Sequence, residues 1–226
     1  MSNAFFLTIC KVLAQWSALV VFCAPFPTIQ TIIREKSVGS LPLLPYSSMI
    51  ASTFLWMSYG QLINDSAVTR TNVIGLILAI YYFVKFVKYS PAKSPTLPGS
   101  VRQHFNGILA IVTIAIVEIY LQPIKYPVRV IGSLALCLCI AMFGAPLSTL
   151  KTVLKTKSAI SIPLPFTLAT IINCVLWSIV GWFDLKDFNV YFPNFVGLSF
   201  GMAQLGLKVY YRPTTKKGDQ ELNLIL

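Results

Sequence analysis

The feature that most constrains this chain is an internal repeat. Residues up to Gly60 recur at an offset of 121 positions, and residues from Asp65 onward recur at an offset of 122. The matched pairs include Pro25 and Pro146, Lys36 and Lys157, Trp56 and Trp177, Asn72 and Asn194, and Gly75 and Gly197. A repeat of this length indicates two copies of one structural unit. In an apolar chain, paired segments interrupted by proline predict a binding site between the copies, as in transporters.

The composition places both copies in a membrane. Of the 226 residues, 56% are hydrophobic and only 11% are charged, which departs strongly from soluble proteins. Seven apolar stretches can be read, at 5–33, 41–61, 68–87, 105–122, 128–150, 160–183 and 189–211. Each is close to the ~20 residues that a helix needs to cross a bilayer, and only helices satisfy their own backbone groups in lipid. The sequence therefore predicts an all-α membrane protein with seven transmembrane helices.

The distribution of basic residues predicts the orientation. Thirteen Lys and Arg residues fall at the connectors after the first, third, fifth and seventh segments, whereas five fall on the opposite side. By the positive-inside rule, the N-terminus is outside and the C-terminus cytosolic. The net charge of +11 then reflects topology and attraction to anionic lipids, so no nucleic-acid partner is predicted. The plasma membrane is favoured over a vacuolar or other internal membrane.

The fourth segment lies outside the repeat and explains how the copies are arranged. Three spans in each copy would invert the second copy, and one additional helix restores its direction. The predicted architecture is two parallel three-helix repeats joined by a linker helix (3+1+3). The predicted divisions are 1–88 for the first repeat, 89–127 for the linker with the fourth helix, 128–211 for the second repeat and 212–226 for a cytosolic tail.

Few charges are expected in the middle of the membrane. The ionisable residues nearest to it are expected at helix ends or in outer loops: Lys11, Lys85, Glu118, Lys208, Asp65, Asp184 and Asp187. Because intramembrane ionisable groups usually carry ions or protons, the sequence predicts a small neutral polar substrate that moves down its own gradient. No cofactor or metal site is predicted, since His104 is expected at the surface and the five cysteines are expected to be small buried residues.

Trp56, Asn72, Trp177 and Asn194 are the candidate substrate-binding residues. Each Trp lies four residues before a matched glycine, and each Asn lies four residues after a matched valine, so all four are predicted at one depth. An indole face can stack on a sugar ring, and an amide can donate and accept hydrogen bonds to hydroxyls. The alternative is that the tryptophans are interfacial anchors and the asparagines join helices. The matched pairs favour a pocket.

Paired prolines are candidate hinges. Pro25 and Pro146 interrupt the first and fifth segments, and a proline removes a backbone donor and bends a helix. Other prolines open the second and sixth segments, where helix-start chemistry is an equally good explanation. These are Pro42, Pro45, Pro163 and Pro165.

The chain also resembles a known family. The runs APFPTIQTIIREKSVGSLPLLPY, WMSYG and TNVIG are similar to the first half of a eukaryotic SWEET sugar transporter. The runs APLSTLKTVLKTKSAISIPLPF, NCVLW and FPNFVG resemble its second half. The resemblance implies facilitative sugar transport by alternating access, no enzymatic activity, and assembly as a homo-oligomer.

The resemblance also implies site residues. The sugar pocket falls on Asn72, Asn194 and Trp177, with Trp56 at the equivalent position of the second helix. The proline tetrad falls on Pro25, Pro45, Pro146 and Pro163, although the repeat register pairs Pro42 with Pro163. The outer gate falls on Tyr59 and Asp187. Many plant members are expected to carry a smaller residue in place of Trp56, so a preference for monosaccharides is predicted.

A seven-helix receptor is the alternative class. Against it stand the short loops, the internal repeat and Val84-Lys85-Phe86 after the third segment, where many such receptors carry an acidic residue followed by Arg-Tyr. An amino-acid transporter is disfavoured because the predicted pocket has no charge.

Overall fold

The computed structural model describes residues 2–90, 100–121 and 126–211. These residues form nine α-helices and one π-helical turn. They are α1 (Ser2–Cys23), α2 (Phe26–Glu35), α3 (Leu44–Leu62), α4 (Ser66–Tyr89), α5 (Val101–Tyr120), α6 (Pro127–Met142), α7 (Gly144–Thr156), α8 (Leu164–Ile179), the π-turn (Val180–Asp184) and α9 (Phe188–Tyr210). The proposed tail 212–226 and most of the proline-rich connector lie outside the described residues.

Grouped end to end, these helices form seven rod-shaped units, and the seven rods correspond to the seven predicted segments. The first consists of α1 and α2, the fifth of α6 and α7, and the sixth of α8 with the π-turn. In the described part of the chain, five rods are long and apolar enough to cross a membrane: Asn3–Glu35, Ser66–Tyr89, Val101–Tyr120, Pro127–Thr156 and Leu164–Asp184. The rods α3 and α9 fall outside this set, and α3 buries the polar side chains of Ser47, Thr53 and Ser58 in the bundle.

The breaks in the first and fifth rods follow from proline chemistry. Pro25 has no N–H to donate to the carbonyl of Val21, and the N–H of Ala24 bonds that carbonyl instead at 3.2 Å. Pro146 likewise cannot donate to Met142, and α6 ends there. The new helix α7 starts with the bond from Leu147 N–H to the Phe143 carbonyl at 3.1 Å. Both interruptions therefore lie where the sequence predicts hinges.

The backbone repeats its turns in both halves. Lys36 and Lys157, the C-caps of α2 and α7, have positive φ angles of 53° and 56°. Asn64 and Lys186, each one residue before an N-capping aspartate, have φ angles of 58° and 51°. All four side chains are non-glycine, and such conformations are uncommon for them. The two halves thus share backbone geometry as well as residue pairs.

The π-turn explains why the repeat offset changes from 121 to 122. In the first half, Asp65 N–H bonds the Gly60 carbonyl at 2.8 Å. In the second half, Leu185 N–H bonds the Val180 carbonyl, and Asp187 N–H bonds the Gly181 carbonyl, both at 2.9 Å. A π-turn within a helix absorbs one extra residue. The inserted residue therefore lies between Gly181 and Asp187, and the helix after it keeps its register.

The rods pack as two related groups that meet at equivalent contacts. The most extensive packing is between α3 and α4 in one group and between α8 and α9 in the other. The groups touch where α1 packs on α8 and where α3 packs on α6, and these two contacts are equivalent by the repeat. The linker helix α5 packs against α3 and α6. A core cluster at this junction contains Tyr59, Val68, Ala135, Trp177 and Val190.

Three predictions about single residues are wrong. His104 is buried, because the first turns of α5 pack against α3. Cys23 and Cys137 are exposed, since they lie on outward faces of α1 and α6. Lys11 is the tenth residue of α1 and so is not at its end, although its contacts with Asp65 and Asp184 place it at the outer end of the bundle.

Candidate functional site

A cavity of about 200 Å³ lies at the junction of the two helix groups. It is lined by fifteen residues of α1, α3, α4, α6, α8 and α9, and six repeat-related pairs supply twelve of them. The pairs are Ala18 and Cys139, Ser52 and Asn173, Trp56 and Trp177, Val68 and Val190, Thr71 and Pro193, and Asn72 and Asn194. Each half therefore builds one wall from the same positions.

All four candidate substrate-binding residues line this cavity. Trp56 lies six residues before the end of α3, and Asn72 lies six residues after the start of α4, which puts both about 9 Å from the helix ends. Asn194 occupies the same position in α9. Trp177 is 8% exposed and belongs to the core cluster, whereas Trp56 is partly buried against it. The indoles are therefore cavity walls and not anchors at the membrane surface.

Each asparagine is held by its own helix. Asn72 Nδ2 donates to the Val68 carbonyl at 2.9 Å, and Asn194 Nδ2 donates to the Val190 carbonyl at 2.7 Å. One of the two N–H donors is used in this way, so a second N–H and the amide oxygen are available to a ligand. Because the donor bond fixes the rotamer, these groups are pre-positioned at equivalent places on the two walls.

The cavity is polar without being charged. None of the fifteen described lining residues is Asp, Glu, Lys, Arg or His. The hydroxyl of Thr71 is buried without a hydrogen-bond partner among the described residues, and buried polar groups are usually paired. A ligand hydroxyl would satisfy it. The lining thus suits a neutral molecule with several hydroxyls and an apolar face.

Tyr59 links the two groups above the cavity, at the predicted outer end. Its hydroxyl donates to Asp187 Oδ2 at 2.5 Å and accepts from Asn189 Nδ2 at 3.1 Å. A Cβ on Gly132 would lie 2.7 Å from the Tyr59 ring, so only glycine allows this approach. The ring also meets Trp56 edge-on, with centroids 5.7 Å apart. This set, which we term the tyrosine latch, couples the outer end to a cavity wall.

A second link at the same end is ionic. Lys11 Nζ lies 2.6 Å from Asp65 Oδ2 and 2.7 Å from Asp184 Oδ2. Asp65 belongs to the first group and also caps α4 by accepting from Val68 N–H at 2.8 Å. Asp184 belongs to the second group, at the end of the π-turn. We term these three residues the lysine latch.

The four proline candidates lie at helix starts or breaks. Pro25 is the N-cap of α2, and Pro146 is in the first turn of α7. Pro45 is in the first turn of α3, and Pro163 is the N-cap of α8. Pro42 precedes α3, so the structure leaves both Pro42 and Pro45 as counterparts of Pro163.

The comparison with a family of known proteins decides the identification. The profile described as "Sugar efflux transporter for intercellular exchange" matches residues 8–94 and again residues 129–216. These two segments make up more than half of the chain. The chain belongs to the SWEET family. The same profile matching twice agrees with the internal repeat, and the family is one of sugar transporters and not of enzymes.

Two curated relatives of this SWEET chain are plant proteins. "Bidirectional sugar transporter SWEET10" of Arabidopsis thaliana is 30% identical over 217 residues, covering 95% of this chain and 74% of the relative. "Bidirectional sugar transporter SWEET15" of Oryza sativa subsp. indica is 29% identical over 203 residues, covering 89% of this chain and 63% of the relative. The chain thus spans less than two thirds of the length of that rice relative.

A solved structure shares the fold. A eukaryotic SWEET transporter determined at 3.7 Å resolution matches with a TM-score of 0.77 and 24% sequence identity. The match covers 91% of this chain and 96% of that one. The prediction of an all-α membrane protein with seven transmembrane helices in a 3+1+3 arrangement is confirmed.

Several site residues were not predicted from the sequence. Ser52 and Asn173 are a repeat pair inside apolar runs, and two polar residues at matched positions of such runs could have indicated that they line the site. Asn173 Oδ1 accepts from Ser17 Oγ at 3.1 Å, which ties the wall to α1. The lysine latch had a weaker signal, because no charged residue matches Lys11 in the second half, where Gly132 occupies that position.

Proposed function

We propose that this chain is a facilitative, bidirectional sugar transporter that works by alternating access and prefers monosaccharides. The observation that carries the proposal is the uncharged, two-sided cavity, with one Trp and one Asn from each helix group. A sugar offers hydroxyls to the amides and an apolar ring face to the indoles. Family membership supports the same substrate class.

The proposed mechanism follows from the contacts that join the two helix groups. The tyrosine and lysine latches connect the proposed units 1–88 and 128–211 at the outer end. Opening that end requires both to separate, and the breaks at Pro25 and Pro146 supply the bends through which the other end can change width. The cavity residues stay on rigid helix segments between these two levels. Substrate can then reach the same residues from either side.

Flux of labelled glucose into proteoliposomes tests the proposal. Purified full-length protein should equilibrate glucose across the membrane in both directions, and protein-free vesicles should not. Counterflow against preloaded unlabelled glucose should accelerate entry of the label. A folded, reconstituted protein that gives no flux with any of several hexoses would contradict the proposed function.

Transport is expected to be uncoupled from protons. Glu118 is buried and its Oε2 has no partner among the described residues, but it is not a cavity residue. A proton carrier remote from the substrate would need a further coupling element. An imposed pH gradient or membrane potential should therefore cause no accumulation, and Glu118→Gln should leave the flux unchanged. Proton-driven accumulation that Glu118→Gln abolishes would show coupling.

Trp56 is expected to set the preference for monosaccharides. Replacing its indole by the side chain of serine adds on the order of 100 Å³ to the cavity, since close-packed walls do not refill such space. The present cavity is about 200 Å³, and a disaccharide carries two rings where a hexose carries one. Trp56→Ser should gain sucrose flux and lose hexose affinity with the stacking face. Efficient sucrose transport by the unmodified protein would contradict this assignment.

Orientation, membrane and assembly complete the proposal. An outside N-terminus and a cytosolic C-terminus are supported by the distribution of basic residues. Protease access to tags on the two termini in intact cells tests this orientation, and surface biotinylation tests residence in the plasma membrane. A homo-oligomer rests on the family resemblance, and mass photometry in nanodiscs would measure it.

A further inference from the structure

A second cavity, of about 280 Å³, lies between α3, α5 and α6. It shares no lining residue with the first cavity, so it is independent of the proposed sugar pathway. Its wall is mainly apolar and includes Leu44, Ala51, Ile108 and Leu138. His104 lies in this wall, at the fourth residue of α5. No carboxylate lines the described wall, so an anionic partner for the imidazole is absent there.

His104 has one satisfied nitrogen and one unsatisfied nitrogen. The side chain is 9% exposed, and Nδ1 lies 2.8 Å from Ser47 Oγ. Nε2 is buried and has no hydrogen-bond partner among the described residues. A buried polar atom without a partner is costly and calls for an explanation. A bound molecule in the adjoining cavity would supply the partner.

The hydrogen bonds of Ser47 determine what that partner must offer. Its hydroxyl donates to the Leu44 carbonyl at 3.0 Å, so its single hydrogen is already used. We assign the donor role in the 2.8 Å contact to His104 Nδ1, because this lets Ser47 keep its bond to the Leu44 carbonyl, and Nε2 then carries the lone pair. The missing partner is a hydrogen-bond donor.

Gly107 keeps the cavity open toward the outside of the bundle. It lies one turn after His104, is exposed, and a Cβ added to it would meet no atom within 4 Å. A glycine in the interior of a helix costs about 1 kcal/mol relative to alanine. The small Ala51 on α3 lines the same cavity. Gly107 and Ala51 thus leave room on two sides of the cavity for an apolar body between the larger side chains.

We propose that a sterol binds in this cavity, with its hydroxyl donating a hydrogen bond to His104 Nε2. His104 lies about 4.5 Å from the start of α5, a helix about as long as the hydrocarbon core is thick, so it lies near one edge of that core. A sterol has one hydroxyl for His104 Nε2 and an apolar ring system for the apolar part of the wall, while Ser48 and Gln103 also line the cavity. The proposal does not depend on sugar transport.

Photolabelling of the full-length protein in phosphatidylcholine nanodiscs tests the proposal. A photoreactive sterol should form adducts with peptides of α3 and α5, identified by mass spectrometry. Excess cholesterol should compete for labelling, whereas cholest-4-en-3-one, which has no hydroxyl hydrogen to donate, should compete about tenfold less well. Equal competition by the two molecules, or by diacylglycerol, would overturn the assignment of a sterol hydroxyl.

Two variants and one matched control make the test specific. Gly107→Leu should fill the cavity and reduce adducts there at least tenfold, whereas Gly206→Leu should not. Gly206 is also an exposed helical glycine at which an added Cβ would meet no atom within 4 Å, but it lies on α9. His104→Phe should lower labelling about tenfold and remove the difference between cholesterol and the ketone. Unchanged labelling of Gly107→Leu would overturn the proposal.

Thermal unfolding separates a ligand role of His104 from a purely structural one. Sterol should raise the unfolding midpoint of the wild-type protein and of Gly206→Leu, and it should raise that of His104→Phe much less. A structural role alone would lower the midpoint of His104→Phe equally with and without sterol. That result would also contradict the proposal.

Discussion

Asn194→Ala is expected to reduce sugar flux at least tenfold while the protein remains folded and abundant. The amide is pre-positioned by its bond to the Val190 carbonyl. Its second N–H and its oxygen are available to a ligand in the cavity that Asn72 also lines. Losing one such buried hydrogen bond to a neutral ligand costs on the order of 1–3 kcal/mol, and 1.4 kcal/mol is tenfold. Initial rates of glucose entry, normalised to reconstituted protein, measure the effect, and Asn72→Ala should behave alike.

Asn106→Ala is the matched control for the asparagines. Asn106 is an exposed amide on α5 that lines neither cavity. Its replacement should leave flux within about twofold of wild type, because surface substitutions change little. Wild-type rates for both Asn72→Ala and Asn194→Ala would refute the sugar-binding assignment of the two amides.

Trp177→Ala is expected to abolish flux as well, but it also leaves a hole in the core. Trp177 is almost buried, and truncating such a side chain costs about 3–5 kcal/mol of stability. Trp177→Phe retains an aromatic face and much of the volume, so it should retain folding and part of the flux. Trp16→Ala, at a tryptophan that is 65% exposed, controls for loss of an indole.

The sequence was sufficient for the cavity because the repeat carries three-dimensional information. Two residues at matched positions of parallel units must lie at one depth, and for this reason Trp56, Asn72, Trp177 and Asn194 could be grouped without coordinates. The breaks at Pro25 and Pro146 could be predicted for a local reason, since a proline removes a specific backbone bond wherever it stands.

The remaining features depend on contacts that the sequence does not display. Lys11 joins Asp65 to Asp184 across two helix groups, and nothing in the local pattern around Lys11 marks either partner. His104 is buried only because α5 packs against α3. The polarity pattern of the linker helix α5 does not show which side of the bundle it will cover. The π-turn was visible only as a change of offset between Gly181 and Asp187.

Breaking either latch is expected to increase the fraction of molecules whose cavity is open to the outer side, because the open state then requires only the other latch to separate. The tyrosine and lysine latches share no residue, so each should hold the outer end closed independently, and their effects should be roughly additive. Tyr59→Phe removes the hydroxyl that joins Asp187 and Asn189. Lys11→Met leaves the Asp65 and Asp184 carboxylates together without a cation, which favours their separation. Each change should reduce flux, because alternating access requires the closed state to form.

Cys139 provides a native reporter for this opening. It is a free thiol in the cavity wall, so an impermeant maleimide reaches it from outside only when the outer end is open. In a background where the other four cysteines are replaced by alanine, Tyr59→Phe and Lys11→Met should each increase labelling about tenfold. Losing about 1.4 kcal/mol of closed-state stabilisation shifts a two-state equilibrium by that factor.

Salt and a matched lysine variant distinguish the two latches. Lys11 and Asp184 have side chains that are 26% and 33% exposed, so higher ionic strength should weaken the lysine latch and increase labelling in Tyr59→Phe. In Lys11→Met, only the tyrosine latch remains, and salt should have little further effect. Lys208→Met, which removes a bond to the Ala159 carbonyl outside both latches, should not increase external labelling. Labelling that stays at the wild-type rate in both latch variants would show that neither contact closes the outer end.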